Sequence, residues 1–219
     1  MQQVTTDPTP DWAPRWSPDG SEIVYYAYRS GNREVWVQPL GRGAARQVTN
    51  GAAQNWYPSW SPDGLEIVFE SNSTGNLDIW AIRATGGEPR QVTDHPSDER
   101  GANRSPDGKW LAFSSTRSGS SRIWQMPADG GEPRQVSEEE GSRPLWSPDG
   151  KWIYFIGSGE SAGNFWVVPV DGGRTRRLTD LEGKRGTPVG TACATDGRYL
   201  YFAWQEGLGD IWVADVDYQ

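Results

Sequence analysis

The chain has 219 residues, room for one large domain or two small ones, and its 21 basic against 29 acidic residues leave a net charge of −8 that disfavours a phosphate-tracking surface. A single cysteine, Cys193, excludes an internal disulfide framework and a cysteine-based zinc site, and no apolar run approaches the roughly 18 residues of a membrane-spanning helix. The polar start MQQVTTDPTPDW has the character of neither a signal nor a transit peptide, and 27 Gly, 16 Pro and 13 Trp point to short strands joined by frequent turns.

Along the chain one unit recurs. Its marker is Ser-Pro-Asp-Gly at 17–20, 61–64, 105–108 and 147–150, with an eroded copy, Ala194-Thr195-Asp196-Gly197. The marker aspartates are 44, 44, 42 and 47 residues apart, the period of a four-stranded propeller blade, and the length holds about five such periods. Before the marker, a first strand ends in Trp16, Trp60 or Trp146. After it, EIVYYAY, EIVFES, KWLAFSS, KWIYFIG and RYLYFAW read as second strands. The third strands carry Trp36, Trp80, Trp124, Trp166 and Trp212 beside apolar neighbours, so both of their faces need cover. Fourth strands are RQVT at 46–49 and 90–93, RQVS at 134–137 and RRLT at 176–179. The last unit has none, and Gln2-Gln3-Val4-Thr5 carries the same pattern, so the expectation is an all-β, five-bladed propeller over 1–219 whose N-terminal strand closes the C-terminal blade. The ten recurrent Trp and Trp204 are expected in packing.

The stretch P-x-W-S-P-D-G-x-x-I-x-F, then G-x-x-D-I-W, then G-G-E-x-R-Q-V-T resembles the WD40-like (PD40) repeat of TolB-type propellers across essentially the whole chain. The resemblance implies a propeller fold and a soluble, periplasmic or secreted protein. It leaves the function open, because one fold hosts many activities.

The residues argue against catalysis. Gly159-Glu160-Ser161-Ala162-Gly163 fits G-x-S-x-G, but it falls in a hairpin between second and third strands rather than on a strand-to-helix elbow. His95 is the sole histidine and lies in a connection, so no multi-histidine metal site can be built. Asp129-Gly130-Gly131 and Asp171-Gly172-Gly173 read as turns rather than calcium loops. Cys193 reads as a buried, inert thiol. No cofactor or metal is expected.

The repeat also locates a binding face. The Ser-Pro-Asp-Gly turns are nearly invariant, whereas the connections entering the first strands (7–12, 51–56, 95–100, 138–143 and 182–187) differ from one another. The candidate binding residues on that side are Trp12, Trp56, Tyr57, Asp98, Arg100, Arg143, Lys184 and Arg185. Arg104, standing where other blades have Trp, is expected to reach solvent or a carboxylate. The reading is a monomeric, non-catalytic module for a protein or peptide partner, with neither nucleic-acid binding nor membrane insertion. The alternatives are a small-ligand or carbohydrate-binding propeller, with or without hydrolase or lyase chemistry from carboxylates on this face, and an engineered or reconstructed scaffold without an evolved ligand.

Overall fold

The computed structural model describes residues 3–41, 43–205 and 210–215, without the side chains of 189–192 and 210–215. The first sheet comprises β1 (Asp11–Trp16), β2 (Glu22–Ala27), β3 (Glu34–Pro39) and β4 (Arg46–Gln47), and the second β5 (Asn55–Trp60), β6 (Glu66–Ser71), β7 (Asp78–Arg83) and β8 (Arg90–Gln91). The third comprises β9 (Glu99–Arg104), β10 (Trp110–Ser115), β11 (Arg122–Pro127) and β12 (Arg134–Gln135). The fourth comprises β13 (Gly141–Trp146), β14 (Trp152–Gly157), β15 (Phe165–Pro169) and β16 (Arg176–Arg177). A fifth, of β17 (Thr187–Thr195), β18 (Tyr199–Gln205) and β19 (Asp210–Asp215), has three strands among the described residues. Gln3, Val4 and Thr5, from the expected closing strand, belong to no strand, and Gln2 lies outside the described residues. The outer strands that do form are only two residues long and so are the weakest part of each sheet. Two compact units divide the chain, Met1–Arg104 and Ser105–Gln219.

The Ser-Pro-Asp-Gly marker turns the chain by a repeated set of hydrogen bonds. Ser17 Oγ donates to Asp19 Oδ1 at 2.6 Å and accepts from the Glu22 amide at 2.9 Å, while Gly20 takes φ +70°. The same serine-to-aspartate bond recurs from Ser61 to Asp63 and from Ser105 to Asp107, both at 2.6 Å, and from Ser147 to Asp149. In the eroded copy Asp196 Oδ1 accepts from the Arg198 amide at 2.9 Å, as Asp19 does from Ser21, and the Tyr199 amide at 2.7 Å replaces the serine hydroxyl.

The R-Q-V-T/S motif has an equally local cause. After two paired residues the fourth strand ends, and the hydroxyl that follows accepts the first free amide of the third strand. Thr49 takes the Val35 amide at 2.8 Å, Thr93 that of Ile79 at 2.8 Å, Ser137 that of Ile123 at 2.9 Å and Thr179 that of Phe165 at 2.9 Å. A side chain thus finishes the ladder where the backbone leaves it.

Each unit has its own core. In the first, Val24, Val35, Val37, Val48, Trp60, Ile67, Phe69, Ile82 and Ala84 pack together. In the second, Ala112, Ile123, Val136, Trp146, Ile153, Phe155 and Val168 form one cluster, and Tyr154, Phe165, Val167, Leu200, Phe202 and Trp204 another. Each fully buried aliphatic or aromatic side chain stabilises the fold by roughly 1.5–3 kcal/mol. Trp60, Trp146 and Trp204 are buried as expected, but Trp16 is 63% exposed. The Trp60 indole explains the difference, since it donates to Arg15 O of the preceding sheet at 3.2 Å, and the first sheet has no preceding sheet within its unit. Trp110, also expected in packing, is 38% exposed. The side chain of Trp212 lies outside the described residues.

Candidate functional site

Strand order places the marker turns at one end of each sheet and the variable connections at the other. At the variable end, the first strand of the first, second and fourth sheets is interrupted. Pairing slips between Trp12 and Arg15, between Trp56 and Ser59, and between Ser142 and Leu145. A proline, Pro14, Pro58 or Pro144, stands in each interruption and has no amide to give the ladder, so the strand bulges there. The residue before it pays in conformation: Ala13, Tyr57 and Arg143 have φ of +51°, +45° and +58°. Left-handed backbone at a non-glycine residue costs roughly 1–3 kcal/mol, and a following proline adds to the crowding. The third sheet uses Gly101, φ +64°, at the equivalent place.

In the first unit the bulges assemble an aromatic row. Trp12 stacks on Tyr26 with centroids 5.5 Å apart and planes at 20°, and Tyr26 meets Tyr57 edge-on, also at 5.5 Å. Tyr26 is buried, Tyr57 half-buried, and Trp12 at the outer end is 38% exposed. Tyr28, one residue beyond β2, is exposed as well. Trp56 is apart from this row, half-buried with the Arg33 guanidinium 5.8 Å from its ring. Tyr26 was missed from the sequence because it sits inside an ordinary second-strand run; the signal was its cross-strand place opposite Trp12.

The charged candidates divide in two. Asp98 and Arg100 come together as an ion pair at 2.8 Å, and Asp98 also accepts the Leu77 amide at 3.1 Å. Its bond from Arg100 is the main reason that its carboxyl is held below the ordinary range. In the second unit Arg143 is half-buried at its bulge, whereas Lys184 and Arg185 are exposed on the loop entering β17. That loop is fixed by its backbone, with Trp204 Nε1 donating to Arg185 O at 3.0 Å.

The carboxylates at the variable end of the first unit are committed to structure. Asp11 pairs with Arg29 at 2.7 Å. Glu34 accepts from Thr49 Oγ1 and from Asn55 Nδ2 at 2.8 Å, and Asp78 from Thr74 Oγ1 at 2.6 Å and Gln91 Nε2 at 3.1 Å. Glu70 accepts the Gly101 amide at 2.7 Å, which anchors the third sheet's bulge. His95 is equally local, its Nδ1 accepting the Ser97 amide at 3.1 Å. Ser161 lies in a single 3-10 turn, Gly159–Ser161, and donates to Glu139 Oε2 at 3.1 Å. Cys193 is half-buried against the cluster around Phe202. Arg104 reaches a carboxylate, Glu66, with its side chain 7% exposed. Among the described residues no group of three or more His, Cys, Asp or Glu could hold a metal ion, and no helix is long and apolar enough to cross a membrane.

Antiparallel blades with a repeated turn at one end and divergent loops at the other define a β-propeller. The sequence matches the TolB beta propeller domain (PD40) over residues 1–218, and the chain belongs to that family. It is similar to the Tol-Pal system protein TolB of Escherichia fergusonii, 43% identical over 44 residues, which are 20% of this chain and 10% of that protein, about one blade. A TolB structure from Agrobacterium tumefaciens superposes with a TM-score of 0.81 at 26% identity, over 97% of this chain and 79% of the other. An oligogalacturonate lyase from Vibrio parahaemolyticus shares the fold, with a TM-score of 0.68 at 16% identity over 97% and 65% of the two chains. The fold is therefore common to proteins of different activity.

Proposed function

We propose that the protein is a binding module for another protein or a peptide, acting through the variable-loop ends of its blades. The observation that carries this reading is the row Trp12, Tyr26 and Tyr57, which starts in the core and ends in solvent. A half-exposed indole backed by a buried aromatic is rigid, large and cheap to order, the property that makes Trp and Tyr dominate recognition hot spots. The Asp98–Arg100 pair supplies a polar rim in the same unit, and the bulges fix the backbone beneath it. Lys184 and Arg185, exposed on the second unit's loop entering β17, are complementary to acidic side chains of a peptide. The first unit's Asp11, Glu34 and Asp78 carboxylates are occupied in holding loops, which favours binding over catalysis there.

Panning a random peptide display library against the purified protein tests this. Selected peptides should share a motif and bind Trp12→Ala at least about tenfold more weakly, the loss typical of a hot-spot aromatic. Peptides without a common motif, or with equal affinity for wild type and the Trp12→Ala/Trp56→Ala/Arg100→Ala variant, would overturn the reading.

A further inference from the structure

At the opposite, marker-turn end of the second unit lies a cavity of about 460 Å³, within the range of roughly 300–1,000 Å³ typical of small-ligand sites. Trp110, Gln125, Arg134 and Trp146 line it, with Asp107, Asp149 and Asp171 around them. Gln125 is the anomaly. It occupies the third-strand position that holds Val37, Ala81 and Val167 in other sheets, all fully buried. Gln125 is itself only 2% exposed, yet its Oε1 has no hydrogen-bond partner among the described residues. A buried acceptor left unmatched costs about 1–3 kcal/mol, so an amide in place of valine is a liability unless something donates to it.

Its surroundings have changed with it. Register puts Ala112 and Arg134 opposite Gln125, and Trp110 two residues before Ala112 on the same face. The first two sheets have Glu22 and Glu66 at the Trp110 position, where they pair with Arg46 and Arg90. The fourth has Trp152, covered by the Arg176 guanidinium 5.1 Å from its ring. In the third sheet the arginine turns away: Arg134 donates to Val170 O at 2.6 Å and Asp171 O at 3.2 Å. The Trp110 ring is left 38% exposed, stacked on no other ring or guanidinium among the described residues.

We infer that this cavity binds a neutral polyhydroxylated ring, a hexose or hexose unit. The lining offers an aromatic face, a buried amide acceptor and three exposed carboxylates, while the Arg134 donors face backbone carbonyls. The complementary ligand is rich in hydroxyl donors, carries an apolar C–H face for the Trp110 indole, and bears no negative charge to meet the aspartates. The site is independent of the variable-loop face, and its loss leaves the peptide-binding reading standing.

Saturation-transfer NMR with glucose, galactose and mannose, each alone, supplies the test, with free arginine as the cationic competitor. At least one hexose should show transfer, and Trp110→Ala and Gln125→Val should each weaken it by at least about tenfold while Trp12→Ala does not. Gln125→Val should at the same time raise the melting temperature by roughly 2–4 °C, since valine fills the same position in two other sheets. That rise separates lost recognition from lost folding. The inference is overturned if no hexose gives a signal, if arginine binds in preference, or if binding survives both substitutions.

Discussion

The first and third sheets carry the same strands in the same register, but not the same interior. On one face of the first, Glu22, Val24, Val37 and Arg46 form an ion pair over an apolar floor. On the corresponding face of the third, Trp110, Ala112, Gln125 and Arg134 leave an exposed ring over an unmatched acceptor. A repeat protein contains its own control: a residue that departs from its siblings and fits is packing, whereas one that departs and stays unsatisfied has another reason to be there. Gly141 is a departure of the first kind. It stands where the first two sheet junctions have Asn55 and Glu99, and a Cβ there would lie 2.2 Å from Phe155 Cδ2 in the core.

The two kinds predict opposite outcomes on reversion. Gly141→Asn should destabilise the protein by about 3 kcal/mol, because the side chain must displace both a core ring and the backbone at Ile156. Urea unfolding would show it as a lower midpoint at unchanged slope. The reciprocal graft, Val37→Gln, should cost about 2 kcal/mol by burying an amide in a full core without a cavity beside it. If Val37→Gln is neutral in the same assay, a buried glutamine is ordinary in this fold and the comparison loses its force.

The repeat made most of the architecture legible. Marker turns, strand order and the hydroxyl that ends each fourth strand follow from short motifs whose hydrogen bonds are local. The bulges were less visible, because Ala13, Tyr57 and Arg143 are not residues that advertise positive φ; only Gly101 and the prolines at 14, 58 and 144 hinted at them. Trp12 and Tyr57 were singled out in sequence, but their connection through Tyr26 depends on strand register and on the neighbouring sheet. Trp16 looks like its buried siblings Trp60 and Trp146, and Trp110 like Trp152, and only the presence or absence of a covering neighbour distinguishes them. Gln125 has a repeat position that sequence can read, but its unmatched oxygen is a property of the packed sheet.

The smallest effect concerns what the sheets share. Hydrogen bonds from Ser17 and from the Ser21 backbone and side chain hold the Asp19 carboxyl down at about 2, and those from Ser61, Ser105 and Ser147 lower Asp63, Asp107 and Asp149 in the same direction. An unfolded aspartate titrates near 3.9. A carboxyl more acidic in the folded state adds stability that is complete above the unfolded pKa and disappears as pH falls through the folded one. The turns should therefore contribute fully at neutral pH and lose that contribution between about pH 4 and pH 2, the lower end set by Asp19. Because these carboxylates are solvent-exposed, each step is small and screened. Thermal melts of wild type and Asp63→Asn across that interval should converge as acid is added. Curves that stay parallel would mean that the second sheet's turn is held by the Ser-Pro-Asp-Gly backbone and that the aspartate charge adds nothing.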